Sequence, residues 1–249
     1  MAFTLGTEVL HLAFRDRFKI ARNEDSESSQ TVLTYLEQGG ASGLGECFPV
    51  PYYGETVETT RAVLPRLVDS LADLGPVPAE RTETLAWLER STARMTDVLG
   101  NHGGAKLGVD AALHDMAGKA LGLPVWQLIG TSDQLPPTDY SLGIDDPATV
   151  AERARRVAHF PALKIKVGGP SDIETLEAVR AVFDGPLRVD ANTGWQPEQA
   201  AALIPELERL GVELVEQPFK ARMLPELRWL RERSSLPIMA DESAVFEED

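Results

Sequence analysis

One cysteine, Cys47, is all the thiol this 249-residue chain carries. An internal disulfide framework is excluded, and so is a metal cluster built on cysteine alone. Cys47 reads as an inert, partly buried thiol. Histidine is scarce too, with four in the chain. His102 and His114 fall in no catalytic motif and read as structural. Basic residues number 24 against 39 acidic ones, a net charge of −15. That balance argues against nucleic acid and anionic membranes as partners, because both need a basic face. It leaves an anionic small substrate open, since a bound divalent cation can reverse the local field. No uninterrupted apolar run reaches transmembrane length, and the N-terminus, MAFTLGTEVLHLAFRDRFKI, lacks a signal-peptide pattern. A soluble cytoplasmic protein is the expectation. No glycine-rich nucleotide fingerprint and no low-complexity tract occur.

What is present is enough apolar material for a sizeable core, 43% of residues. The pattern divides the chain near residue 130. In 1–130, residues 3–14 and 30–38 read as strands, and the polar stretch from Asn23 to Ser29 reads as a mobile loop between them. Gly39, Gly40 and Gly43 mark turns. Helices follow at about 56–73, 80–97 and 104–121, the last stopped by Gly122 before Pro124. This is an α+β domain. In 131–249 the pattern becomes a regular α/β repeat. Apolar runs near 140–144, 163–167, 187–191, 212–215 and 237–240 alternate with helical stretches, roughly every 25 residues. Near-continuous apolar strands covered by helices form a parallel sheet. A steady repeat of this kind favours a TIM-like (β/α) barrel over a doubly wound sheet.

The C-terminal ends of these strands form the catalytic face of such a barrel. Here they carry Lys164 and Lys166, then Asp190 and Asn192, then Glu216, then Asp241 and Glu242. Side chains alternate along a strand, so Lys164 and Lys166 share a side, as do Asp190 and Asn192. Asp190, Glu216 and Asp241 are 26 and 25 residues apart, one βα unit per step. Three converging carboxylates repel each other in a low-dielectric mouth. A hard divalent cation removes that cost. All-oxygen ligands without His or Cys point to Mg²⁺, with Mn²⁺ as the alternative, rather than Zn²⁺.

The lysine pair has its own logic. Lysines are few, six against eighteen arginines, yet two of them flank Ile165. Lysine becomes a base when its pKa falls, which arginine does not do. Lys164 is a like charge beside Lys166, and a nearby metal adds positive potential; both favour a neutral Lys166. A lysine base beside an oxygen-ligated cation suits removal of a proton from carbon next to a carboxylate. The charge then develops on the oxygens of an enediolate.

Four motifs in order carry a resemblance: KIK at 164–166, VDAN at 189–192, VEQP at 215–218 and ADES at 240–243. They resemble the muconate-lactonizing subgroup of the enolase superfamily. GLGECFPVPYYGE at 43–55 and AALHDMAGKALGLPVWQLIG at 111–130 look like that family's capping domain. FKIAR at 18–22 and ECFPVPYYGE at 46–55 look most like L-Ala-D/L-Glu epimerases and related dipeptide epimerases.

The resemblance implies an N-terminal capping domain at 1–130 and a partial barrel, about five of eight strands, at 131–249. It implies Mg²⁺-dependent epimerisation of a small dipeptide, with Asp190, Glu216 and Asp241 as metal ligands. Lys166 becomes the acid/base on one substrate face and Lys164 its pKa-lowering neighbour. Arg22 becomes a partner for a substrate carboxylate, Asn192 and Tyr53 further substrate contacts, and Glu242 a support on the far side of the site. Tyr52 and Tyr53 line the pocket in this reading, or else pack the cap onto the barrel.

The family's second lysine, on a sixth strand, has no counterpart before Asp249. The sequence therefore leads to the expectation that the chain is truncated, or that another segment closes the barrel. It also leads to the expectation that residues 1–249 alone lack epimerase activity and associate, for example as a homo-oligomer, to cover an open edge. Two competing readings remain. One is a cycloisomerase or o-succinylbenzoate synthase of the same superfamily; the other is a non-catalytic fragment.

Overall fold

The structure is a computed structural model that describes residues 2–22 and 26–245. The chain forms two compact units, Met1–Ala13 with Ser28–Leu135, and Phe14–Glu27 with Pro136–Asp249.

The N-terminal part of the chain builds a three-stranded sheet, β1 (Thr4–Phe18), β2 (Ser26–Gln38) and β3 (Ala41–Cys47), in that order; residues 14–18 of β1 and 26–27 of β2 count with the second unit. β2 and β3 pair antiparallel from Val32↔Cys47 to Gln38↔Ala41. They turn through Gly39 and Gly40, whose φ angles of 60° and 87° disfavour a side chain. Four helices follow: α1 (Val57–Asp69), α2 (Arg81–Val98), α3 (Gly103–Leu121) and α4 (Val125–Ile129). Thr56 caps α1 in a reciprocal bond with Thr59, and Gly122 closes α3 in the left-handed conformation.

The packing of α3 on β3 depends on missing side chains. A Cβ placed on Gly43 would lie 1.8 Å from the Ala112 carbonyl, and one on Gly45 would lie 1.9 Å from that of Gly108. Helix backbone therefore rests directly on strand backbone. Leu36, Leu64, Leu67, Trp87, Leu113 and Met116 fill the core around this contact.

Two expectations need correction here. Strand pairing runs well beyond 3–14 and 30–38, and Ser26, Glu27, Ser28 and Ser29 lie in β2 rather than in a loop. The ladder satisfies backbone groups whatever the side chains are, so polar residues can extend a strand that hydrophobicity does not announce. An Arg17–Glu27 ion pair of 2.5 Å ties the two outer ends together. Asn23, Glu24 and Asp25, the rest of the expected loop, lie outside the described residues. The short helix α4 is an element the sequence pattern did not suggest.

The second unit repeats one motif: β4 (Asp139–Leu142), α5 (Pro147–Arg156), β5 (Ala162–Lys166), α6 (Asp172–Arg180), β6 (Leu187–Asp190), α7 (Pro197–Arg209), β7 (Val212–Glu216), α8 (Leu224–Arg231) and β8 (Ile238–Met239). All strand pairs are parallel, and the spatial order is β4-β5-β6-β7-β8. Each strand pairs with its sequence neighbours and the order never reverses. That is the arc of a (β/α) barrel, as expected, and not a doubly wound sheet. Leu163, Ile165, Val189 and Val215 are fully buried, in one core with Val150, Leu176, Val179, Ile204, Leu207 and Leu230 of the helices. Among the described residues, no helix is long and apolar enough to cross a membrane.

The parallel register places Lys166 opposite Asp190, Asp190 opposite Glu216, and Glu216 opposite Met239. Each functional residue at a strand end is thus level with the next. The last strand is shorter than the sequence suggests. Asp241, Glu242 and Ser243 lie in the turn after β8, not on the strand.

Candidate active site

The strand ends bring three carboxylates to one point. Asp190 is fully buried, Glu216 nearly so, and Asp241 exposed. One oxygen from each lies within 4.8 Å of the others. Lys166 Nζ donates to Asp190 Oδ2 at 2.6 Å and to Asn192 Oδ1 at 2.9 Å. Lys164 Nζ lies 2.9 Å from the same Asp190 oxygen and 2.6 Å from Glu216 Oε2. Asn192 Nδ2 donates to Glu242 Oε1 at 3.3 Å, and Arg22 Nη1 pairs with that oxygen as well. One unbroken polar chain therefore runs Arg22–Glu242–Asn192–Lys166–Asp190–Lys164–Glu216.

The backbone bends sharply to make it. Asn192, Thr193 and Gln217 have φ angles of 39°, 69° and 35°, a region non-glycine residues rarely adopt. Strand alternation was the expected reason for Asn192 to share a side with Asp190. The actual reason differs: β6 ends at Asp190, and a left-handed turn returns Asn192 to the site. In that turn Asp190 Oδ1 accepts from the Asn192 amide at 2.8 Å.

Gln217, noticed in the sequence only as part of VEQP, is fully buried and organises the next strand end. Its Oε1 accepts from the amides of Asp241 at 2.8 Å and Ser243 at 3.1 Å. Its Nε2 donates to the Phe219 carbonyl at 2.8 Å and to Ser243 Oγ at 2.7 Å. Asp172 was missed altogether. Its carboxylate accepts from the amides of Gly168 and Gly169 and from Trp195 Nε1, all at 2.9–3.0 Å. It thereby joins the loop after Lys166 to the loop after Asn192. The only sequence signal for either residue was a polar side chain next to an apolar element, which says nothing about its partners.

The charges set each other. Burial raises the Asp190 carboxyl, but the charges and hydrogen bonds of Lys166 and Lys164 outweigh it, so its pKa is lowered. Glu216 is raised, by burial first and by Asp190 as well, against the Lys164 hydrogen bond. Asp241 is raised by burial, then by the charges of Glu242 and Asp190. Burial pulls the Lys164 ammonium down, yet the bond to Glu216 and the charge of Asp190 hold it above its ordinary value. Lys164 is therefore a firmly charged neighbour to Lys166. Two of the three carboxyls feel a repulsion that a cation among them would relieve. With donors that are all oxygen, the set fits a hard divalent ion.

The remaining candidate residues belong to the first unit. Tyr53 is exposed in the first unit, edge-on to Tyr52 with ring centres 5.2 Å apart. His102 starts α3 in the left-handed conformation, and His114 bonds to Asp110 four residues earlier on its own helix. Cys47 is fully buried, more so than expected, and burial pushes its thiol up, which fits an inert role.

Residues 7–130 match the mandelate racemase / muconate lactonizing enzyme N-terminal domain, and residues 148–249 match the enolase C-terminal domain-like family. An L-Ala-D/L-Glu epimerase of Bacteroides thetaiotaomicron is 35% identical over 85% of this chain and 54% of its own length. A chloromuconate cycloisomerase of Cupriavidus necator is 34% identical over 85% of this chain and 58% of its own. The crystal structure of a dipeptide epimerase from Enterococcus faecalis, complexed with Mg and L-Leu-L-Tyr, superposes with a TM-score of 0.87 at 31% identity. That match covers 98% of this chain and 69% of the other. The chain thus spans little more than half the length of the two curated relatives.

Proposed function

The chain belongs to the mandelate racemase / muconate lactonizing enzyme family of enolase-like proteins, and from that premise we propose that it serves Mg²⁺-dependent epimerisation of a dipeptide. The reaction begins with loss of the proton α to the substrate carboxylate and passes through an enediolate. The observation that carries this reading is the Asp190 carboxylate, which holds both lysines on one oxygen and brings an oxygen within 4.8 Å of oxygens of Glu216 and Asp241.

Lys166 takes the α-proton on one face of the substrate. Its ammonium is then held by Asp190 Oδ2 and Asn192 Oδ1, the acceptors it already faces. Lys164 keeps its charge beside Asp190 and Glu216, a fixed positive charge next to the base. Asp190, Glu216 and Asp241 would hold Mg²⁺, or Mn²⁺ in its place. That ion, when bound, stabilises the negative charge that develops on the carboxylate oxygens. Arg22 reaches the substrate from the Glu242 side, where a substrate carboxylate would compete with Glu242 for the guanidinium. Asn192 lies between the two ends, within reach of the substrate. Residues 1–130 act as the cap and 131–249 as the catalytic domain, in a cytoplasmic protein acting on a small molecule. A cycloisomerase is the second reading, supported by the 34% identity to the chloromuconate enzyme; it would use the same lysines and acids on a different acid.

The test is deuterium wash-in. The purified protein, L-Ala-L-Glu and Mg²⁺ in D₂O should show exchange at the α-carbon of the second residue by NMR. Chelation should stop it and added Mg²⁺ should restore it. Lys166→Ala should lower the exchange by about 10²–10⁴-fold, the usual worth of a positioned acid/base, while Mn²⁺ binding read by electron paramagnetic resonance persists. Exchange at the wild-type rate in that variant would remove Lys166 from its role. Turnover of a muconate and none of any dipeptide would favour the cycloisomerase.

A further inference from the structure

The segment that carries Arg22 is seated in a notch made of glycine. A Cβ added to Gly168 would lie 2.6 Å from the Ala21 Cβ, and one added to Gly194 would lie 2.5 Å from it. Real Cβ atoms do not approach that closely, so the Ala21 methyl occupies the space both glycines leave open. The two glycines belong to the loops that follow Lys166 and Asn192. Gly168 has a φ of 109°, which a side chain would strain.

Asp172 holds the notch in shape. It binds the Gly168 and Gly169 amides on one side and the Trp195 indole, next to Gly194, on the other. Trp195 is itself buried, and its amide donates to the Pro218 carbonyl at 3.0 Å. A second anchor lies two residues before Ala21. The Ile144 amide donates to the Lys19 carbonyl at 2.9 Å, and Gly143 lies so close that an added Cβ would be 2.8 Å from the Lys19 nitrogen. A third lies three residues earlier, at the end of β1, where Asp16 pairs with Arg156 at 2.6 Å.

We infer that Ala21 is the positioning residue for Arg22: its methyl, seated between Gly168 and Gly194, fixes the backbone from which the guanidinium reaches Glu242. This rests on the reading of Arg22 as a substrate contact given above. A methyl suits the place because it takes the room that a Cβ on either glycine would need. Enlarging it lifts the segment and moves Arg22 without touching Lys166 or the acids. The loss therefore falls on substrate binding and not on proton transfer.

The test has two arms. In the first, with α-deuterium exchange into L-Ala-L-Glu as the reaction followed, Ala21→Leu should raise KM at least about tenfold, with kcat within about twofold of wild type. In an Arg22→Ala background the same change should add less than about twofold, because Ala21 then has nothing left to position. In the second arm, amide hydrogen exchange over residues 19–22 should accelerate at least about tenfold in Ala21→Leu. Should Ala21→Leu not fold, Ala21→Val carries both arms with a smaller lift. Full additivity with Arg22→Ala, a fall in kcat without a rise in KM, or unchanged exchange over 19–22 would each overturn the inference. If the wild-type protein exchanges no dipeptide, the functional reading fails instead. The amide-exchange arm alone then decides whether Ala21 holds this segment.

Discussion

The two compact units bury polar groups of different kinds. In the first the buried polar residues are mostly hydroxyls, Thr31, Thr34, Thr60, Thr84 and Ser91. Most fold back onto nearby carbonyls. Ser91 donates to Leu88 O at 2.6 Å, Thr84 to Glu80 O at 3.0 Å, and Thr31 to Cys47 O across the sheet at 2.6 Å. In the second, beside Arg153 and Thr175, they are the carboxylates and amides of Asp172, Asp190, Asn192, Glu216, Gln217 and Glu242, and many are directed at one another. A hydroxyl can be buried cheaply, because one local acceptor satisfies it. A buried carboxylate costs several kcal/mol unless a counter-charge and further hydrogen bonds meet it. Architecture accounts for the first kind. The second kind is concentrated at strand ends, where only chemistry explains the expense.

Changes to the backbone contact of the first unit should give the largest effect. Gly45→Ala places a methyl against the Gly108 carbonyl and should cost about 3 kcal/mol, the upper end for overpacking. Gly103→Ala, where the added methyl meets nothing within 4 Å, should change stability by less than about 1 kcal/mol. Urea unfolding compares them, and equal midpoints would mean that the sheet and α3 do not need to touch.

Removing Gln217 should have an intermediate effect of a different sort. Gln217→Leu strips the acceptor from the Asp241 and Ser243 amides. Divalent-ion affinity should fall about 10–100-fold, the usual cost of losing a residue that orients a metal ligand. Thr31→Val in the first unit should cost about 1 kcal/mol of stability and leave ion affinity unchanged. Titration with Mn²⁺ separates the two, and a Gln217→Leu protein with wild-type affinity would break the contrast.

The smallest effect should come from His114. Its hydrogen bond to Asp110 raises its pKa, against the opposing pull of burial. A raised pKa means the folded state holds the proton more tightly. The stabilisation is therefore full below the unfolded value of about 6.5 and is lost as pH rises through the folded value. The pair is partly solvent-exposed, so less than about 1 kcal/mol is expected. Unfolding free energies at about pH 5.5 and about pH 9 should differ by that increment more in wild type than in His114→Asn. An identical pH dependence in the two proteins would deny His114 even this structural role.

Much of the second unit was legible because its signals are local and repeated. Apolar strand, helix and charged strand end recur at a near-constant interval, so the level of Asp190 and Glu216 follows from spacing alone. The outer ends of β1 and β2 were not legible, because residues such as Arg15, Asp16 and Glu27 are polar and the ladder that orders them lies on the partner strand. β8 was overestimated for the opposite reason, an apolar run that the pairing uses only at Ile238 and Met239. Asp172 and Gln217 look like ordinary surface residues in sequence. Their importance lies in bonds to amides and an indole that a linear pattern does not display.

What the sequence by itself determined was the order of the strands, the face their ends present and the residue types gathered there, since periodicity and βα spacing are properties of the chain alone. Only the tertiary structure decided how those residues meet. Lys164 and Lys166 share one Asp190 oxygen because two neighbouring strands stand in register. Asn192 rejoins the site through a left-handed turn. Ala21 fits between Gly168 and Gly194, far from both in the chain, because steric exclusion acts between atoms that folding brings together.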